Sequence, residues 1–369
     1  MNRSTSVPDV LARARAATGP ALAAAIDRLP PEIRRLATYH LGWTDAEGRP
    51  VGAPGGKGIR PALALLSAEA AWADGGVGVP GGIAVELVHN YSLLHDDIID
   101  GDEERHHRPT VWSLWGVGPA IIAGDALETL AHQVLLETTS TAGAEAARAL
   151  SAATAEMISG QADDIAFERR RNVSVEDCMA MSAAKTGALL GCAASIGAVL
   201  AAAPDATVGA LRDFGCHLGL AFQAVDDLLG IWGDPARTGK PAGSDLRQRK
   251  KSMPIVSALA AGGDEAEELR ALLLGPTTAL ANGRLANGTP ADGRPADDTP
   301  AGTTASPLDD DQVSRAAHLV EACGGREWTA VRAKSHLDAA LGALERVRLS
   351  AVTHRELADV AAFVVERQA

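Results

Sequence analysis

Two apolar helical runs in this chain end in carboxylates, and that pattern limits how the chain can fold more than any other feature. Ile83 to Leu94 leads into His95–Asp100, which reads HDDIID, and Leu218 to Val225 leads into Asp226 and Asp227. On a helix Asp96 and Asp100 lie one above the other, with Asp97 turned about 100° away. His89, Ser92, Asp96 and Asp100 share one narrow arc, and Gln223, Asp226, Asp227 and Gly230 share one face of the second run. Unpaired carboxylates at that density repel one another. A divalent cation with oxygen ligands relieves the repulsion, and magnesium keeps waters and accepts phosphate oxygens as further ligands. Two such clusters on separate helices can hold a metal-bound diphosphate between them. For either cluster alone the plainer alternative is an acidic, solvated helix face.

Alanine and leucine dominate, aromatics make up 3% and β-branched runs are short, which favours an all-α protein. At 369 residues the chain can bury a substantial core. A formal net charge of −13 argues against a nucleic-acid partner, whose phosphates need a basic face. A phosphorylated substrate must therefore be gripped by local Lys and Arg and by metal. Cys178, Cys192, Cys216 and Cys323 lie far apart without CxxC spacing and read as reduced thiols of a cytoplasmic protein. The start, MNRSTSVPDV, has no apolar signal region. Thr186 to Pro204 is uncharged and long enough to span a bilayer, but its Ala and Gly content reads as a packed core helix, so no stable membrane insertion is expected.

In order, Val7 to Leu41 predicts one or two helices parted near Pro30-Pro31, and Gly48 to Gly58 a loop leading to Lys57 and Arg60. Positive charge at a helix start is unfavourable, so Lys57 and Arg60 there point to an anionic ligand. Pro61 suits a first turn before Ala62–Trp72. Gly75 to Gly82 breaks the chain, and Gly101 to Pro109, GDEERHHRP, reads as a flexible mouth of the site. Helices follow over Trp112–Leu136, Ala144–Ile165, Val173–Leu200 and Val208–Leu229, with Gln161 and Asp164 in the polar end of the second of these. Gly230 to Lys251 is a charged loop, in which Lys250 and Lys251 carry no assigned role. Gly275 to Pro307, rich in Gly, Pro, Thr, Ala, Asn and Asp without periodicity, reads as a disordered low-complexity insertion within the domain.

Seven segments then stand in order: GGKGIRP at Gly55–Pro61, VELVHNYSLLHDDIIDGDEERHHRPT at Val85–Thr110, AGDAL, GQADD, KTG, GLAFQAVDDLLGIWGD at Gly219–Asp234, and TGKPAGSDLRQRKKSMP at Thr238–Pro254. Together they resemble the trans-polyprenyl diphosphate synthase family, of the short-chain type seen among bacterial geranylgeranyl diphosphate synthases. The resemblance implies one domain with an isoprenoid synthase-type helical bundle around a central cavity, paired as a homodimer. It implies magnesium, three ions once substrate is bound, held by Asp96, Asp97, Asp100, Asp226 and Asp227. It implies that Arg105, Lys185 and Lys240 contact the allylic diphosphate, that Lys57, Arg60 and His89 hold isopentenyl diphosphate, and that Thr186 and Gln223 line the substrate site. Ionisation of the allylic bond leaves a carbocation and diphosphate, so charges set in place beforehand carry the catalysis. The departed diphosphate is the base for the final proton, and no protein base is named.

Two positions depart from the family pattern. His106 stands where the family has the second of two arginines, which grips isopentenyl diphosphate. Histidine is shorter and lacks the bidentate fork, and Arg108 is the candidate substitute. Gly230 stands where many relatives have a third aspartate, and Asp234 lies one turn on. Product length in the family is set by bulk just upstream of the first aspartate. Tyr91 and Ser92, without a two-residue insertion in the motif, imply a twenty-carbon product, with fifteen carbons next. A terpene cyclase on the same scaffold is the alternative that His106 favours. Retained Lys57, Arg60 and His89 and the scarcity of aromatics oppose it. Intact acidic clusters oppose a degenerate regulatory subunit.

Overall fold

The computed structural model describes residues 6–51, 58–138, 140–234, 242–275 and 308–366. Ten helices lead through the acidic motifs: α1 Val7–Ile26, α2 Pro31–His40, α3 Ile59–Ala70, α4 Val79–Ile99, α5 Val111–Trp115, α6 Val117–Leu136, α7 Thr141–Arg169, α8 Val175–Ser182, α9 Ala188–Leu200 and α10 Asp205–Trp232. Further helices cover Ser244–Arg247, Met253–Ala260, Asp264–Leu274, Asp310–Ala322, Gly325–Leu344 and Ala351–Glu366. Local signals set many of the ends. Ser6 with Asp9 and Ser174 with Asp177 form capping boxes, and Pro31 opens α2 where its missing N–H costs nothing.

The all-α expectation holds. α9 lies at the centre, packed against α3, α7 and α10, while α10 also runs along Gly325–Leu344. Every residue from Ala188 to Ala198 is buried, so this uncharged stretch is core rather than an apolar outer face. Small residues permit the close approach. A Cβ on Gly197 would collide with the Ala64 carbonyl of α3, and one on Gly219 of α10 would come 2.7 Å from the Gly187 Cα.

Two expectations change. The break before α4 is shorter than Gly75–Gly82, because a 3₁₀ turn at Gly75–Gly78 passes directly into helix at Val79. Gly81 and Gly82 are helical and serve packing, since a Cβ on Gly81 would lie 2.7 Å from Ile196 Cγ2. The segment after Asp100 is an ordered hairpin, with β1 Glu104–Arg105 pairing antiparallel to β2 Arg108–Pro109. Its turn holds His106 and His107 at φ of 51° and 59°, the double positive φ of a two-residue hairpin turn. The Tyr39 hydroxyl ties it to α2 by donating to the Pro109 carbonyl at 2.7 Å. Lys57, Lys240 and the insertion beyond Gly275 lie outside the described residues.

Candidate active site

The two acidic motifs meet at one end of the bundle, but their members do different things. Asp96 is partly covered on α4, and Asp100 caps that helix in the open. Burial raises the Asp96 carboxyl to about 6, Asp100 and Asp164 push the same way, and Lys185 and Arg105 oppose them. Asp97 turns inward, only 1% exposed, and accepts from Arg105 Nε at 2.7 Å. Asp227 is also buried. Its Oδ1 accepts from Gln223 Nε2 at 2.7 Å and its Oδ2 from the Met253 backbone N–H at 2.8 Å. Burial, then Asp245 and Asp226, raises Asp227 to about 8. Gln223 in turn accepts from Thr186 at 2.7 Å. The sequence groups all five aspartates as ligands; here Asp97 Oδ1 holds Arg105 while its buried Oδ2 has no partner among the described residues, and Asp227 anchors the Gln223–Thr186 chain.

Lys185 sits in a π-turn, Ala183–Gly187, between α8 and α9, and its ammonium contacts Asp164 of α7 at 2.5 Å. A π-turn inserts an extra residue into the helical ladder and re-aims the side chains around it. Glycines on both sides make room: a Cβ on Gly160 would lie 2.8 Å from the Lys185 Cα, and Gly219 abuts Gly187.

Three participants stand in the motif segments without a role read from the sequence. Asp164 has its motif but no role there, and it is the acid that holds Lys185. Asp245 presses on Gly230, where a Cβ would lie 2.5 Å from Asp245 Cγ. A carboxylate from Ser244–Arg247 thus fills the space beside position 230 that a longer residue there would need. Lys250 is set among Asp245, Asp100, Asp164 and Asp102, which raise its pKa against the lowering effect of burial, the largest influence on it. Asp245 and Lys250 stand in the Thr238–Pro254 segment, but no helical period gives them a role there, and their tertiary placement identifies them.

Beside the acidic end opens a cavity of about 670 Å³. Its wall carries His40 of α2, Glu86, His89, Asn90 and Asp97 of α4, Arg105, His106 and Arg108 of the hairpin, and Arg15 of α1. His89 lines this wall with Asp97 rather than with Asp96, and burial with Arg60, His40 and Arg105 drives its pKa well down. Arg60 is deeply set. Burial lowers its pKa, Glu86 opposes, and its Nε is buried without a partner among the described residues. Arg108 does reach this wall, but it is committed there: Nη2 donates to the Thr44 carbonyl at 2.9 Å and the guanidinium stacks 4.3 Å above the Tyr39 ring. Tyr91 instead faces α6, edge-on to His95 at 4.8 Å, and Ser92 Oγ donates back to the His89 carbonyl at 2.8 Å.

Carboxylate oxygens suit a hard divalent cation, and the raised Asp96 and Asp227 are acids short of positive charge. Among the described residues no three His, Cys, Asp or Glu side chains converge tightly enough to hold an ion by themselves.

A family model described as polyprenyl synthetase matches residues 48–282. A (2E,6E)-farnesyl diphosphate synthase of Mycobacterium tuberculosis is 45% identical over 98% of this chain and 93% of its own length. A geranylgeranyl diphosphate synthase of the same organism is 47% identical over 74% of this chain and 78% of its own. The crystal structure of a polyprenyl synthetase from Streptomyces coelicolor A3(2) superposes with a TM-score of 0.86 at 48% identity, covering 98% of this chain and all of that one.

Proposed function

The chain belongs to the polyprenyl synthetase family, and from that premise we propose that it condenses isopentenyl diphosphate with an allylic diphosphate, as a short-chain prenyltransferase of the farnesyl or geranylgeranyl diphosphate synthase type. The observation that carries this is a cavity walled by arginine and histidine in a protein of net charge −13, with Asp97 of the first acidic motif in its wall. Relatives named as synthases at 45% and 47% identity disfavour the cyclase alternative.

Asp96, Asp100 and Asp226, with Asp245 close by, would hold magnesium, which when bound supplies Lewis-acid neutralisation of the leaving diphosphate. Lys185, fixed by Asp164, and Arg105, fixed by Asp97, set positive charge where the leaving group's negative charge develops. Asp97 and Asp227 act as positioning residues. Lys240 completes the allylic grip, and Lys57, Arg60, His89 and His106 receive isopentenyl diphosphate so that its double bond faces the reacting carbon. Tyr91, with Ser92, bounds the growing chain at twenty carbons. Exposed Leu114, Val117, Ile121, Ile122 and Leu136 on α5 and α6 support a homodimer through that face. Four free thiols suit the cytoplasm.

The test is incubation with magnesium, farnesyl diphosphate and labelled isopentenyl diphosphate, followed by mass spectrometry of the dephosphorylated products. Label in geranylgeraniol is expected. A cyclic hydrocarbon from the prenyl diphosphate alone, with no incorporation, would overturn the proposal. In the same assay Asp97→Asn lowers kcat by about 30-fold, because Arg105 loses its charged anchor while keeping its own charge, a loss of about 2 kcal/mol.

A further inference from the structure

We infer that Tyr39 of α2 is a positioning residue for the second substrate: by holding the β2 strand of the hairpin it sets the height at which the turn presents His106 to the diphosphate of isopentenyl diphosphate. No motif marks Tyr39, since it precedes the first of the family segments in the sequence. It is 5% exposed and stands in the cavity wall with Arg105, His106 and Arg108.

The hairpin has two anchors, one for each strand. β1 is fixed to α4, where Arg105 Nε donates to Asp97 at 2.7 Å. β2 is fixed to α2 and to the segment that follows it. The Tyr39 hydroxyl donates to the Pro109 carbonyl at 2.7 Å, the Arg108 guanidinium lies 4.3 Å from the centroid of the Tyr39 ring, and Arg108 Nη2 donates to the Thr44 carbonyl at 2.9 Å. The ring is itself held, because Trp115 at the end of α5 meets it edge-on at 4.8 Å and Arg35 stacks on Trp115 at 5.6 Å. A hydrogen bond, a cation over an aromatic face and an edge-to-face pair thus converge on one side chain. Only two residue pairs register β1 against β2. Strands that short do not hold a hairpin by themselves, so the turn is placed only as well as its anchors place it.

His106 opens that turn at a φ of 51°. An arginine at this position would reach a phosphate along a flexible stem and grip it with a fork of N–H groups, so a small shift of the turn would cost it little. An imidazole on a short, stiff stem has no such reach, and the backbone must deliver it. The contacts of Tyr39 meet that need, and they keep Arg108 as part of the anchor rather than the grip. The two anchors also say which substrate depends on Tyr39. Arg105 keeps its own bond to Asp97 when β2 is loosened, so the histidine is displaced and the allylic grip stays.

This inference rests on the proposed reaction, and the experiment separates the two. Wild-type turnover tests the reaction, whereas calorimetric titration of the full-length protein with isopentenyl diphosphate tests Tyr39 without any chemistry. Tyr39→Phe keeps the ring and loses the hydroxyl. It should weaken isopentenyl diphosphate binding, and raise its KM, by about 5-fold, the range for one neutral hydrogen bond. Tyr39→Leu also removes the face under Arg108 and the edge contact with Trp115, and the effect should reach about 30-fold. The KM for farnesyl diphosphate and kcat should stay within about 2-fold in both variants. In a His106→Arg background, where the longer fork tolerates a displaced turn, Tyr39→Phe should cost less than about 2-fold. A purely structural role would give no such relief, and the Phe variant decides the matter even if the Leu variant folds poorly. Unchanged isopentenyl diphosphate affinity in Tyr39→Phe, equal damage to both substrates, or the same loss in the His106→Arg background overturns the inference.

Discussion

Replacing Asp96 by asparagine should lower kcat by about 10⁴-fold, roughly 5 kcal/mol of transition-state stabilisation, with little change in fold. The side chain keeps its shape and loses only the charge that would bind metal and face the departing diphosphate. The same substitution should stabilise the metal-free protein. Burial raises the folded Asp96 to about 6 from an ordinary 3.8. Between those values the folded protein binds a proton that the unfolded chain has lost, so stability falls as pH rises through the window, and above about 6 the penalty is complete. Asparagine removes that penalty, and near pH 7.5 without magnesium the variant should gain about 1–3 kcal/mol. Activity assays with thermal melts at several pH values check both halves. A variant that lost activity and stability together would show that Asp96 is structural.

Gly160→Ala should be the most damaging single methyl addition near the site. The new Cβ would collide with the Lys185 backbone nitrogen and lie 2.8 Å from its Cα. Neither neighbour is a flexible side-chain tip, so the π-turn must move. Overpacking of backbone on backbone costs about 3 kcal/mol. Because the turn carries Lys185 toward Asp164, the damage extends to function. A displacement of about 1 Å in a positioned charge costs about 100-fold in rate. Urea unfolding should show the stability loss. Assays with the allylic substrate should show kcat falling as well, and a variant that is destabilised but fully active would disconnect the turn from catalysis.

The helical character and the two acid-ending runs were both legible in the sequence, because each follows from a period of 3.6 residues read over a few turns. The core assignment of Thr186–Pro204 followed from its Ala and Gly content and agrees with the burial of α9. Gly81 and Gly82 were misread as a break because glycine signals a turn locally, whereas here it admits Ile196 across a helix contact. The segment after Asp100 read as a loose mouth because its residues are polar. It is held as a hairpin by Tyr39 and Thr44, which lie far away in sequence, and by Asp97 at the end of α4.

What the sequence determined by itself is which charges this protein possesses, on which helices, and the family to which their order belongs. The tertiary structure alone decided which of those charges remain available. Asp96 and Asp97 are adjacent in the chain, yet one meets Lys185 and Asp164 while the other is turned onto Arg105. Asp245 fills the space beside Gly230 and Lys250 enters the acidic end, both from a motif segment whose residue order gives them no role. The physical reason is range. Periodicity and propensity act over a few residues, but desolvation and charge pairing depend on whichever distant segments packing brings within a few ångströms.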